Sequence, residues 1–178
     1  MFCIDRGNVV VTRYAENGER QILAFLYPGD FLGIIVGARY NAGAEALTDA
    51  SVLAVPYAKF LEELATRPEL GAAFAEMAAR ILDNALDLIF TLGRKHSRAR
   101  VASFLLHLRR RQDRLGIATD VIHVPMTRQD VADVLGLTME TVSRSFSQLK
   151  SAGAVRLYGT DVEVVDLQKL SAAAELKT

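Results

Sequence analysis

The sequence predicts an α+β fold, with strands gathered in the first third of the chain and helices filling most of the remainder. Three patterns carry that expectation. β-Branched segments separated by turn residues run to about residue 56, and an apolar heptad-like repeat follows from Leu70 to Leu92. Two short helix patterns joined at a glycine then precede a glycine-turned hairpin. The 178 residues are 51% hydrophobic and 24% charged, a balance that suits a packed core and excludes a disordered chain.

Residues 8–14 and 21–26 are rich in β-branched and aliphatic side chains, and the Asn17-Gly18 pair between them suits a tight hairpin turn with positive φ. Pro28-Gly29-Asp30 marks the next boundary, and residues 50–56 read as a strand ending at Pro56. The chain opens directly into strand-like sequence. Sixty residues of antiparallel sheet close a core with difficulty, so the start of a larger β domain is expected to be missing.

Thr66-Arg67-Pro68 offers a cap and a first-turn proline for a long helix. Along it Leu70, Phe74, Met77, Ile81, Asn84 and Leu88 recur at alternating steps of four and three, continuing to Thr91 or Leu92. The spacing suits one amphipathic helix packed on its own domain. The narrow seam, and a polar Asn84 able to fix register, favour instead a helix that pairs with a second copy. Gly93 loosens this helix and Ser97 is placed to cap another, whose apolar face is Val101, Phe104, Leu105 and Leu108. Arg109, Arg110, Arg111 and Arg114 crowd its end, where cations suit the helix dipole.

The informative stretch is residues 127–144. Thr127 caps a first helix with Asp130 as capping-box partner, and Gly136 permits the left-handed turn that ends it. Thr138 caps a second helix whose buried face is Val142, Phe146 and Leu149. Two short helices joined in this way make a helix-turn-helix, whose second helix enters the DNA major groove. Met139, Glu140, Ser143 and Arg144 then occupy the opposite face near the helix start, where base-reading residues belong. Arg144 can donate twice to guanine and Glu140 can accept from cytosine, and their i, i+4 spacing lets the carboxylate hold the guanidinium. Alone, the pair would be a surface ion pair worth ~0.3–0.5 kcal/mol. Residues 154–158 and 162–165 flank Gly159 as a wing-like hairpin, and Asp166 caps a closing helix.

Charge follows the same division. Residues 1–92 carry 7 Lys/Arg against 12 Asp/Glu, a balance of −5; residues 93–156 carry 12 against 5, or +7; residues 157–178 carry 2 against 4, or −2. A basic block inside a chain of zero net charge suits a nucleic-acid-binding module, although a solvated, salt-bridged helix face would look similar. The single Cys3 can form neither an intrachain disulfide nor a metal site. It reads as an ordinary buried small residue, with no basic cluster near it to lower its pKa. No apolar run reaches the ~18 residues that span a bilayer, and the N-terminus does not read as a signal peptide. A cytoplasmic protein without membrane association is expected. No phosphate loop, metal-ligand cluster or nucleophile–base arrangement points to an enzyme.

Two motifs, residues 136–144 (Gly-Leu-Thr-Met-Glu-Thr-Val-Ser-Arg) and residues 28–33 (Pro-Gly-Asp-Phe-Leu-Gly), give the whole chain a specific likeness. It resembles the CRP/FNR family of bacterial transcription regulators, lacking the first part of the β-roll. The resemblance implies a partial antiparallel β-roll (jelly-roll, cupin-like) sensor over 1–67, a dimerisation helix over 68–95 and a winged helix-turn-helix domain over 96–178. It further implies a homodimer on a palindrome of TTGAT-like half-sites in double-stranded DNA, acting as an activator that contacts RNA polymerase. Met139 stands where CRP-like members carry arginine, so the Glu-x-x-Ser-Arg pattern resembles the FNR/FixK branch. By resemblance Arg144 reads guanine, Glu140 its paired cytosine and Ser143 the outer thymine steps. Thr127, Arg128, Gln129, Thr138 and Thr141 would touch phosphates.

The resemblance also bears on effectors. Cyclic-nucleotide members use an Arg-Ser pair and a glutamate, and this chain has Tyr40-Asn41 and Ile34 at those places with Arg39 nearby. Leu53 stands where FNR proper has a cluster cysteine, and His96, His107 and His123 all lie beyond the region where a haem ligand would sit. No cofactor is therefore expected, as in FixK-like members controlled through their own expression. The rival reading is a ligand-binding sensor whose helix-turn-helix serves protein interaction; exposed Glu140 and Arg144 count against it.

Overall fold

The computed structural model describes residues 1–33, 40–117 and 119–175, which fall into two units, Met1–Ile89 and Phe90–Thr178. In the first, six strands form two antiparallel sheets: β1 (Phe2–Arg6), β2 (Val9–Tyr14), β3 (Arg20–Leu26), β4 (Phe31–Leu32), β5 (Gly43–Ala46) and β6 (Ser51–Ala54). The sheet orders are β4-β1-β6 and β3-β2-β5. Ile4, Val10 and Ile22 are fully buried, as alternation along half-buried strands requires.

The β2–β3 hairpin differs from the expected tight turn. Its loop spans residues 15–19, and only Gly18 has positive φ, 84°. Asn17 contributes through its side chain instead, whose Oδ1 accepts the Glu19 N–H at 3.1 Å. The Pro28-Gly29-Asp30 turn forms as expected, with Asp30 Oδ2 accepting the Tyr27 N–H at 2.9 Å.

Helix α1 (Tyr57–Thr66) was not legible in the sequence. Thr66 ends this helix rather than capping the next, its hydroxyl donating to the carbonyls of Glu62 at 3.0 Å and Glu63 at 3.3 Å. The long helix α2 follows over Pro68–Arg94 and runs through Gly93 without a break. Phe60 of α1 packs edge-on against Phe74 of α2, with centroids 5.1 Å apart, and against Phe31 at 6.4 Å.

Along α2 the expected seam keeps surface open: Leu70, Phe74, Met77, Asn84 and Leu88 are half-buried in the single chain, and Ile81 is exposed. A second apolar row lies about 100° further round the helix and is more exposed still: Leu82 is 60% exposed, Leu86 54% and Ile89 65%. The heptad spacing picked out one of two adjacent apolar rows on α2, and both leave surface open to a second copy.

The second unit begins with the end of α2. It continues with α3 (Ser97–Arg114), β7 (Val121–Ile122), α4 (Arg128–Leu135) and α5 (Met139–Ser151), then β8 (Val155–Tyr158), β9 (Asp161–Val164) and α6 (Leu167–Ala174). Ser97 is the first residue of α3 rather than its cap; His96 holds that place without a side-chain cap bond. The three strands pair antiparallel in the order β7-β9-β8, making the expected hairpin with a third strand on its edge. Val101, Leu105, Val131, Leu135, Val142, Phe146, Leu149, Val162 and Leu170 close a continuous core. Among the described residues no helix is long and apolar enough to cross a membrane.

Candidate nucleic-acid interface

The site is built on α4 and α5 and the turn between them. Thr127 opens α4 with a full capping box: its Oγ1 accepts the Asp130 N–H at 3.1 Å, and Asp130 Oδ2 accepts the Thr127 N–H at 2.9 Å. The two side chains also bond directly, at 2.7 Å, and Asp130 is buried. Asp130 is thus a structural carboxylate whose shorter reach still completes a motif usually built with Glu or Gln.

Gly136 closes α4 at φ 58° and ψ 47°, left-handed backbone that costs a side-chain-bearing residue about 1–2 kcal/mol. Its N–H and that of Leu137 both return to the Ala132 carbonyl. Thr138 then caps α5, its Oγ1 taking the Thr141 N–H at 3.2 Å and pairing with the Thr141 hydroxyl at 3.0 Å. Both helices are therefore pinned at their starts.

Helix α5 divides cleanly. Val142, Ser145, Phe146 and Leu149 are buried, whereas Met139, Glu140, Ser143 and Arg144 are exposed together over the first two turns. Ser147 extends the exposed row by one turn, its hydroxyl donating to the Ser143 carbonyl at 3.1 Å. The i+4 step from Ser143 was the signal that could have found it.

Arg144 does not rest on Glu140 as the spacing suggested. Its Nη2 donates to Thr141 Oγ1 at 3.2 Å. Glu140 turns back to the helix start, where its own backbone N–H and the Thr138 hydroxyl, with a smaller contribution from Arg144, hold its carboxyl below the usual range. A carboxylate at a helix N-terminus has that preference without any partner arginine. Both side chains thus keep their outward groups exposed on one face.

The expected phosphate-contact residues are distributed less evenly. Thr127, Gln129 and Thr138 are exposed, and Gln129 already donates to Asp133 Oδ1 at 2.6 Å. Thr141 is half-buried, and so is Arg128, whose guanidinium carbon lies 3.5 Å from the centre of the Phe146 ring. Burial lowers the Arg128 pKa from its ordinary value. The side chain ties α4 to the core face of α5, a role that residue spacing did not reveal.

Effector-related positions lie in the first unit. Ile34 and Arg39 fall outside the described residues; Tyr40 is exposed with its ring against Gly33. Cys3 pairs across β1–β6 with Leu53, itself 59% exposed. Burial first, then Asp30 and Asp5, push the Cys3 thiol up, opposite to the shift that makes a cysteine reactive. Among the described residues no group of three or more His, Cys, Asp or Glu is placed to hold a metal ion.

Comparison with known proteins meets this geometry at both ends of the chain. Residues 99–173 match the Crp-like helix-turn-helix domain, and residues 1–67 match the cyclic nucleotide-binding domain. The nitrogen fixation regulation protein FixK of Bradyrhizobium diazoefficiens is 40% identical over 161 residues, 89% of this chain and 67% of that protein. The transcriptional activatory protein AadR of Rhodopseudomonas palustris is 38% identical over 174 residues, 98% of this chain and 73% of that one. The solved structure of FixK2 from Bradyrhizobium japonicum superposes with a TM-score of 0.87 at 33% identity, covering 99% of this chain and 88% of that one. A capped two-helix motif with an exposed Met-Glu-x-x-Ser-Arg face, a strand-built first unit and relatives of this closeness place the chain in the CRP/FNR family of transcription regulators, on its FixK-like side.

Proposed function

We propose that the chain works in the cytoplasm as a homodimer that binds a palindromic TTGAT-like operator and activates transcription through contact with RNA polymerase. The observation that carries this reading is the shared exposure of Met139, Glu140, Ser143 and Arg144 on the first two turns of a helix capped by Thr138. Arg144 donates to guanine O6 and N7, Glu140 accepts from cytosine N4, and Ser143 lies against the outer thymine steps. Thr127, Gln129, Thr138 and Thr141 hold the backbone. Arg128 adds the N–H edge that a stacked guanidinium retains. The two copies meet along α2, through the seam of Leu70, Phe74, Met77, Ile81, Asn84 and Leu88 and the adjoining exposed row of Leu82, Leu86 and Ile89, spacing two recognition helices one DNA turn apart, roughly 34 Å.

Met139 supplies the test. A thioether cannot make a bidentate bond to guanine, so its base pair should accept A·T as TTGAT-type sites require. Binding-site selection from random duplexes with the wild-type protein should return TTGAT-like palindromes, and Met139→Arg should move that step toward G·C. Arg144→Ala should cost ~1–3 kcal/mol per half-site and flatten preference at its G·C pair. Selection of sequences without twofold symmetry, or an unchanged preference in Met139→Arg, would overturn the assignment.

A further inference from the structure

Arg100, on the first turn of α3, makes more hydrogen bonds to backbone carbonyls than sequence reasoning gave any reason to expect. Its Nε donates to the Lys95 carbonyl at 2.8 Å and its Nη2 to the Leu92 carbonyl at 2.9 Å. Its Nη1 reaches the Leu135 carbonyl at 2.9 Å and the Gly136 carbonyl at 3.4 Å. Every partner is a main-chain oxygen, and all lie within the second unit. Leu92 belongs to the last turn of α2, Lys95 to the link into α3, and Leu135 and Gly136 to the turn of the helix-turn-helix.

The chemistry of those acceptors explains the choice of residue. The last carbonyls of a helix have no intrahelical donor and carry the negative end of its dipole. One planar guanidinium here serves two such ends, α2 and α4, together with the link between α2 and α3. Its rigid fork has donors pointing in three directions; a lysine ammonium on a flexible stem is a single point and cannot hold three segments in fixed relation. Lys95 anchors the same link from the other side, with Nζ bonded to Ser103 Oγ at 2.7 Å and placed 5.9 Å from the Phe90 ring centre.

We propose that Arg100 is a positioning residue for operator recognition, fixing the turn ahead of recognition helix α5 relative to the last turn of α2. It touches no base and no phosphate in this role. Its contribution is to make the direction in which α2 leaves this unit and the direction of α5 a single geometric quantity. In a pair of chains joined through α2, that quantity sets the separation of the two recognition helices. This rests on the dimeric operator-binding reading above, and predicts that Arg100 governs half-site spacing rather than base identity.

The experiment measures affinity of the full chain for a selected palindrome and for the same half-sites moved apart or together by one base pair. Wild type should favour one spacing. In Arg100→Lys and Arg100→Gln the ratio of preferred to altered spacing should fall by about fivefold or more, the lower range of ordinary coupling between sites, while the selected half-site sequence stays the same. A merely stabilising arginine would lower affinity for all spacings together and leave the ratio unchanged, which would overturn the proposal. If wild type selected no palindrome, the operator reading would fail instead, so the two failures are distinguishable. A measurement on the wild-type protein covers variants that fail to fold. Hindered rotation should give Arg100 separate, slowly exchanging Nη proton resonances, and freely averaged ones would overturn the proposal.

Discussion

The two units of this chain bury apolar side chains to very different extents. Among the described residues, the second unit buries twenty-two apolar side chains almost completely, including Leu105, Val131, Val142, Phe146 and Leu170. The first unit, of nearly equal length, buries six: Met1, Ile4, Val9, Val10, Ile22 and Phe60. It leaves Val52, Leu53, Leu61, Leu82, Leu86 and Ile89 well exposed. The second unit closes a full core even though Phe90, Leu115, Ile117 and Val165 stay exposed on it. The first carries apolar surface that a single described chain does not cover, and contiguous surface of that kind marks an interaction face.

That contrast is open to direct tests. The largest effect should come from Phe146→Ala, which removes a buried ring and the platform under Arg128. A loss of ~3–5 kcal/mol in the second unit, read from denaturant unfolding, is the expected cost of such a truncation. Gly136→Ala comes next. The added Cβ meets only Arg100 Nη1, at an ordinary 3.7 Å, so the penalty is the left-handed backbone alone, about 1–2 kcal/mol. A much larger loss would mean that the turn tolerates less adjustment than its surroundings indicate.

In the first unit, Leu53→Ala should change unfolding free energy by no more than about 0.5 kcal/mol, as for surface positions generally. A cost of 2 kcal/mol would show that Leu53 is covered in solution and would break the comparison. Leu86→Glu sharpens it: sedimentation should show monomers, and the stability lost should be only the part that rises with protein concentration in the wild type. If Leu86→Glu remained dimeric, the exposed face of α2 would not be where two copies meet.

The smallest effect concerns pH. The Asp166 side chain accepts the Lys169 N–H at 2.9 Å and caps α6; that backbone bond is the first cause holding its carboxyl below the ordinary value. A depressed carboxyl contributes stability above its unfolded pKa and loses it as pH falls through the lower folded one. Exchange of the Lys169 amide should therefore remain protected at neutral pH and become faster below about pH 4 relative to intrinsic exchange. Protection that rose on acidification would contradict the cap.

How much was legible differs between the units for one physical reason. In the second, structure is set by contacts near in sequence: Thr127 with Asp130, Gly136 in its turn, Thr138 with Thr141, Asp166 with Lys169. Caps and turns of that range have residue signatures, so the helices and the exposed row from Met139 to Arg144 could be read directly. The first unit depends on pairings such as Cys3 with Leu53 and Val10 with Glu45, which no local signature specifies. Its two-residue β4, its Gly-Ala-Glu-Ala β5 and helix α1 all escaped the reading. Their residues show neither strand alternation nor a recognised cap.

The amino-acid sequence by itself determined the order of strands, long helix and capped helix pair, and it determined that Met139, Glu140, Ser143 and Arg144 stand exposed over the first two turns of α5. These follow from periodicity and from hydrogen bonds closed within a few residues. Only the tertiary structure decided how much of each apolar row of α2 is left exposed. The same holds for Arg128 stacking on Phe146, and for Arg100 joining Leu92, Lys95 and Leu135 through one guanidinium. A heptad spacing repeats equally for a partner in the same chain or in another. A long cationic side chain has several acceptors within reach, and the choice among them is made by where distant segments come to lie.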